Sequence, residues 1–456
     1  MTAIGKPEAV ARLPLSFNQE FLCMFDAGDD SGPFGPQYHV ESGWRLSGPV
    51  DPGTLREALT DVVTRHETLR TVIVREGKSG YQLVYPPNTP RLDVQRCPGV
   101  SPGQRAHQAE ALLTQVEASS MSATELPHLR AVLMQFDDQD SVLVLTTHHL
   151  ATDGWSMRVI ARDLAICYAA RRSNSALDLP PMRPYRDFVA WERQHAATGA
   201  MAPSVKYWQD TLDGARLTAF KADHPRSARL PEVTTAHRFR IGAELISDVT
   251  RLAKAARCTP FMVLLAAYYQ LLHKLTGVTD LVVPTHTLGR GSGMFNATVG
   301  SFFNFLPLRI NLSGRRDAAD LLSRTRDTCI GAYTYDIPAI HVFASAPDLM
   351  ATAMQDSMTP VTFQVHPLAF VMDGTRVGNI EYTEIRRRLD PVGVSPQLPD
   401  GALWTLSFDP AGEVLGTLRY RTDRFNEQTI IRLINEYQQS LRDLVAEYDR
   451  LRTRKD

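Results

Sequence analysis

Ser141 to Ser156 reads SVLVLTTHHLATDGWS, and this stretch decides the fold. Ser141 to Thr147 is a short β-branched run bounded by polar residues, the pattern of a buried strand. From Trp155 to Arg171 apolar residues return at helical spacing. A strand, a short loop and a helix therefore follow one another. The chemically capable residues, His148, His149, Asp153 and Gly154, gather in the loop.

A histidine at the end of a buried strand is held rigidly, and its ordinary pKa of ~6.5 lets it accept a proton near neutrality. Asp153, four positions after His149, can return through the loop and order it by an ion pair or by backbone hydrogen bonds. Gly154 has no side chain, so backbone or substrate can come close. The bland alternative is one packed and one exposed histidine. Adjacent residues on a strand face opposite ways, so His148 and His149 are not expected to share a metal ion, and no metal site is expected.

Outward from this unit, helical and strand patterns alternate, as in a mixed α/β chain. Helical spacing covers Leu55–Glu67, Pro102–Met121, Glu244–Ala256, Thr259–Thr276 and Asn426–Leu451, and HRFRI, ending at Ile241, reads as a strand. At 456 residues the chain exceeds the ~250–300 that one core usually serves. The stretch RRSNSALDLPPMR, Arg171 to Arg183, is the best linker candidate. It divides the chain into residues 1–178 and 179–456. Thr285–Asn296, rich in glycine, and Ile385–Gly401, with three prolines and two aspartates, read as loops with a purpose.

Composition excludes several classes. The 49 basic and 50 acidic residues leave a net charge of −1, without the basic excess of a nucleic-acid binder. The N-terminus lacks the apolar run of a secretory signal, and no run of ~18 apolar residues would span a membrane. Cys23, Cys97, Cys167, Cys258 and Cys329 are odd in number and far apart, as expected of reduced thiols in a cytoplasmic protein. Ser16 and Ser156 lack the G-x-S-x-G context of a nucleophile elbow. No phosphate-binding or dinucleotide fingerprint is present, so ATP and NAD are not expected.

HHLATDGWS resembles the signature of the condensation-domain superfamily of nonribosomal peptide assembly, which has the chloramphenicol acetyltransferase fold. Further stretches resemble the family's motifs in order. They are LPLSFNQEFL from Leu13, RHETLRT from Arg65, YRDFVAWERQ from Tyr185, VGSFFNFLPLRI from Val299, DIPAIHVF from Asp336 and TPVTFQV from Thr359. Phe21 and Leu22 depart from the usual aromatic pattern of the first, and the match at Asp336 is weak.

The resemblance implies two acetyltransferase-like subdomains in a V, a pseudo-dimer with a central tunnel and compatible with a monomer. Gly289–Phe302 would be a floor loop and Ile385–Gly401 would lie near a latch. It implies that His149 is the catalytic residue, as general base or as stabiliser of the tetrahedral species. His148 would pack or orient the loop, and Gly154 would give steric room. Asp153 would pair with Arg290, joining the subdomains. Trp155, Ser301 and Asn304 would line the tunnel. Arg65, His66, Glu67 and Arg70 are read as a structural ion network.

The implied reaction is attack of an amine or alcohol on a carrier-bound acyl thioester, forming an amide or an ester. No cofactor is expected on the chain itself, since the phosphopantetheine arm would arrive on a carrier protein recruited in trans. The ester-forming enzymes of enediyne pathways are one such free-standing type. The alternatives are a polyketide- or coenzyme A-dependent O-acyltransferase of the same superfamily and a non-catalytic carrier-docking module.

Overall fold

The computed structural model describes residues 8–26, 28–29, 31–77, 79–290, 293–366, 372–386 and 401–453. The chain forms two compact units. The first runs to Gly199 and takes in Leu288–Phe303 and the described part of 369–388; the second holds Ala200–Thr287, Asn304–Leu368 and the C-terminal region.

The centre of the first unit is the strand Asp140–His148, buried along its whole length. It lies inside a six-stranded sheet ordered Thr375–Val377, Ile380–Glu384, His39–Ser47, Asp140–His148, Arg130–Gln135, Arg91–Arg96. The pairs are antiparallel except the last, which is parallel. Both faces of the sheet are covered. Leu143 and Leu145 pack with Leu59 and Val62 of the helix Pro52–Arg65 and with Met157, Ile160 and Leu164 of the helix Gly154–Ser173. Val142 and Val144 face Leu112, Leu113 and Val116 of the helix Arg105–Glu117. A strand buried on both faces must be apolar at successive positions, which is why SVLVL carries no polar alternation. A separate three-stranded sheet joins Ala11–Pro14, Ser79–Val84 and Thr71–Glu76.

The division of the chain differs from the sequence expectation. The segment after Arg171 is not a free linker: Leu179 packs on the first unit's core, and the Arg65 guanidinium donates to the Pro180 carbonyl. The helix Tyr185–Ala197 also belongs to the first unit, its Tyr185 and Phe188 packed on Phe295 and Phe302. The boundary therefore falls at Gly199/Ala200, not at 178/179.

In the second unit a five-stranded sheet is ordered Ala219–Lys221, Met358–His366, Ala402–Phe408, Val414–Arg421, Thr234–Ile241. Tyr268, Trp404 and Tyr437 are fully buried together at its core. The strands Asp280–Thr287 and Asn304–Asn311 pair antiparallel, with Thr287 opposite Asn304, so residues 288–303 form an excursion from a closed stem. Most of Ile385–Gly401, read from sequence as a latch, lies outside the described residues. Among the described residues no helix is long and apolar enough to cross a membrane.

Candidate active site

The loop between His148 and Gly154 gives each motif residue a distinct place. His148 is fully buried. Its Nε2 lies 3.2 Å from the Gly35 carbonyl, and its Nδ1 accepts from the Leu150 N–H at 3.3 Å. A carbonyl only accepts, so the ring is the neutral Nε2–H tautomer with both nitrogens engaged in holding the loop. Burial is the main reason its pKa is held well below the ordinary histidine value, with nearby His128 acting the same way.

His149 is only half-buried. Its N–H donates to the Tyr38 carbonyl at 2.9 Å. Its ring stacks on Tyr38, centroids 4.9 Å apart and planes 20° apart, and Phe303 packs against it at 4.7 Å. Its Nδ1 is 2.7 Å from the Thr152 carbonyl. In the neutral ring the proton must therefore sit on Nδ1, which puts the basic lone pair on Nε2. Two aromatic rings and a backbone carbonyl fix the orientation of this histidine.

Asp153 is turned away into a buried network. It caps the helix Gly154–Ser173, its Oδ1 accepting from the Ser156 N–H at 2.7 Å, and its Oδ2 accepts from the Phe302 N–H at 3.2 Å. Arg290 Nη2 donates to both carboxylate oxygens, at 3.2 and 3.4 Å, and to Ser156 Oγ at 3.0 Å. Arg290 Nη1 donates to the carbonyls of Phe295 and Thr298, each at 2.7 Å, and the guanidinium lies 3.9 Å from the centre of the Phe302 ring. Burial pushes the Arg290 pKa down, opposed by Asp153. Arg290 and the Phe302 backbone are thus bolted to the start of the motif helix. This pair lies inside one unit, whereas the resemblance implied that it joins two.

The remaining expected residues separate. Trp155 is half-buried, with Nε1 donating to the Asn296 carbonyl. Gly154 is exposed, and a Cβ built on it would meet nothing within 4 Å. Ser301, expected along a tunnel, presents no surface; its Oγ accepts from Asn18 Nδ2 at 3.0 Å, and its carbonyl lies 2.9 Å from the Tyr185 hydroxyl. Asn304 lies in the second unit and its amide is used up: Nδ2 donates to Asp336 and the Ile337 carbonyl, and Oδ1 accepts from the Ala339 N–H.

Sequence alone does not mark Tyr38, Thr152 and Phe303 as site residues. Thr152 acts through its carbonyl, which leaves no side-chain signal, and Tyr38 and Phe303 come from segments far from the motif. The RHETLRT and YRDFVAWERQ stretches also meet each other: Arg186 Nε donates to both Glu67 carboxylate oxygens, at 3.0 and 2.8 Å.

A family model described as "Condensation domain" matches residues 12–453. The chain belongs to the condensation-domain family. Phosphinothricin tripeptide synthetase PhsC of Streptomyces viridochromogenes is 30% identical over 434 residues, covering 94% of this chain and 39% of that protein. A linear gramicidin synthase protein of Brevibacillus parabrevis is 28% identical over 448 residues, covering 95% of this chain. The condensation domain described here spans only 8% of that synthase's length. Among solved structures, the SgcC5 protein of Streptomyces globisporus, in complex with (R)-(-)-1-(2-naphthyl)-1,2-ethanediol and sucrose, has a TM-score of 0.91 at 44% identity, covering 95% of this chain and 98% of that one. The first condensation domain of the calcium-dependent antibiotic synthetase has a TM-score of 0.76 at 19% identity, covering 96% and 97%, a likeness of fold alone. The mixed α/β architecture is thus that of condensation domains, with the chloramphenicol acetyltransferase-like fold. Such domains are acyl- and peptidyl-transferring units of nonribosomal peptide synthesis.

Proposed function

We propose that this chain transfers an acyl or aminoacyl group from a carrier protein's phosphopantetheine thioester to a small amine or alcohol, with His149 taking the nucleophile's proton. The observation that carries this reading is the Thr152 carbonyl on Nδ1, which leaves Nε2 as the base. The nucleophile's oxygen or nitrogen bonds to the thioester carbon while its proton passes to Nε2. Collapse of the tetrahedral species breaks the C–S bond, and the thiolate takes the proton back from Nε2–H. The flanking rings of Tyr38 and Phe303 hold the imidazole plane, so no reorientation accompanies the transfer.

An alcohol is favoured over an amine. SgcC5, 44% identical, is seen with an aryl-substituted 1,2-diol, whose hydroxyls are the class of group that would give an ester. An ester-forming, free-standing enzyme of the enediyne type, served by a carrier protein in trans, is therefore the specific form of the proposal.

The test is to charge a carrier protein with amino and β-amino acids, offer aryl diols and amines, and follow the acyl group by intact mass. The expected result is loss from the carrier and appearance as a diol ester, abolished in His149→Ala. Transfer from acyl-coenzyme A but from no charged carrier would replace this reading with the O-acyltransferase one.

A further inference from the structure

Three of the stretches singled out in the sequence meet at one cavity beside the motif loop. Gln19 of LPLSFNQEFL, Thr68 and Thr71 of RHETLRT, and Leu150 and Ala151 of HHLATDGWS line it, with His128 as a further wall. All six residues are buried. The cavity gives the centre of a water molecule about 10 Å³ to move in. That is room for about one water.

The walls are polar, and not all of their groups are answered. His128 Nε2 is 3.0 Å from the Thr71 carbonyl. A carbonyl only accepts, so the neutral ring carries its proton on Nε2, and Nδ1 is a bare acceptor. His128 is 1% exposed, and its Nδ1 has no hydrogen-bond partner among the described residues. The Thr71 hydroxyl donates to the Glu67 carbonyl at 2.7 Å, and the Thr68 hydroxyl to the Val299 carbonyl at 3.2 Å. Both oxygens are left as acceptors. Gln19 Nε2 donates to Gln82 Oε1 at 3.1 Å and has a second N–H to give. A cavity lined by carbon stays dry, whereas buried polar groups without protein partners are met by water.

We infer that this cavity is the site of one ordered water, which donates to His128 Nδ1 and bridges it to a threonine hydroxyl and the Gln19 amide. About three such partners are usual for a buried water. Its two O–H groups match the imidazole nitrogen and a hydroxyl oxygen, and its lone pairs match the Gln19 N–H. An anion would meet mostly acceptors, and no described carboxylate lines the cavity to hold a cation. The water lies against Leu150 and Ala151, the two residues after His149. It braces the motif loop from the side of His128, whose ring centre is 5.7 Å from that of His148. The site does not depend on the acyl-transfer reading.

The test is a high-resolution crystal structure of the whole chain, paired with hydrogen exchange of the Leu150 and Ala151 amides in solution. The wild type should show one water within about 3.2 Å of His128 Nδ1 and of at least one of Gln19 Nε2, Thr68 Oγ1 and Thr71 Oγ1. Ala123→Leu adds carbon at a half-buried wall of the cavity and leaves its polar groups in place. It should expel the water and speed exchange of the two loop amides by about tenfold, the loss of roughly one hydrogen bond. The Tyr268 amide, in the second unit, should keep its rate. His128→Phe keeps a ring and removes Nδ1; it should lose the water too, and serves if Ala123→Leu does not fold. A wild type without ordered water at His128 Nδ1, or a water that stays in place in His128→Phe, overturns the assignment. Loop amides that exchange no faster once the water is expelled overturn the bracing role. No turnover is read, so failure here is distinct from failure of the acyl-transfer reading.

Discussion

Two histidines of the first unit make opposite use of similar surroundings. His66 is fully enclosed, with Nε2 2.9 Å from Asp163, a carboxylate that also takes Arg65 and Arg162. Burial lowers its pKa against the pull of Asp163. A His–Asp pair of this kind has the look of catalytic machinery. His149 is held instead by a backbone carbonyl and two aromatic rings, and it is only half-buried. The comparison teaches that the reacting histidine is marked by its tautomer and its access, and the fold-holding one by its carboxylate.

The sharpest way to break that contrast is to remove each ring in turn. His149→Ala should lower transfer by about 10²–10⁴-fold, the usual worth of a positioned acid–base group, with thermal stability nearly unchanged. His66→Ala should do the reverse, costing about 1–3 kcal/mol in denaturant unfolding while the folded fraction keeps its rate. A folded His66→Ala variant without activity would erase the distinction.

The Asp153–Arg290 network predicts the next largest effect. Both side chains are nearly fully buried. Asp153→Ala should cost about 3–5 kcal/mol, because it strands the guanidinium and removes the helix cap. Replacing both partners with apolar residues should recover part of that loss. Lost activity with undiminished stability would make Asp153 catalytic instead of structural.

Acid should act through the buried imidazoles. His128, whose Nε2 is 3.0 Å from the Thr71 carbonyl, is pushed by burial down to about 4. The unfolded chain protonates this histidine near 6.5, so its neutral burial contributes stability above that pH. The contribution is lost as pH falls from about 6.5 to about 4, and amounts to about 3 kcal/mol. Urea midpoints at neutral and acid pH should show this drop, and His128→Gln should flatten it. Glu192, pushed by burial up to about 8, has the opposite sign: it favours the folded state at low pH and loses that contribution as pH rises towards 8.

The smallest effects come from two glycines. A Cβ on Gly300 would overlap the Tyr185 ring, so Gly300→Ala should cost about 1–3 kcal/mol. Gly154→Ala meets nothing and should leave stability intact while raising the apparent KM, since the space beside it is not filled by described protein atoms.

Much of this is legible in the sequence. The SVLVL run, the helix after Gly154 and the helical spacing at Thr259–Thr276 announce themselves through periodicity, and Thr259 is the cap of the helix Pro260–Thr276. The pairing of Asp153 with Arg290 is reachable only through family resemblance, because 137 residues separate the two. The unit boundary is not legible, because the Pro-rich stretch near Pro180 looks like a linker, while its anchors, Leu179 and the Pro180 carbonyl, carry no compositional mark. The clasp on His149 is invisible for a related reason: it is made of one carbonyl and two rings brought in from Tyr38 and Phe303.

The most direct test of the account is nitrogen NMR of His149 in the folded protein, assigned by comparison with His149→Ala. The account predicts that the neutral ring carries its proton on Nδ1, with Nε2 showing the shift of an unprotonated nitrogen. A neutral ring protonated on Nε2 would contradict it, because that nitrogen could then not take the proton of the attacking group.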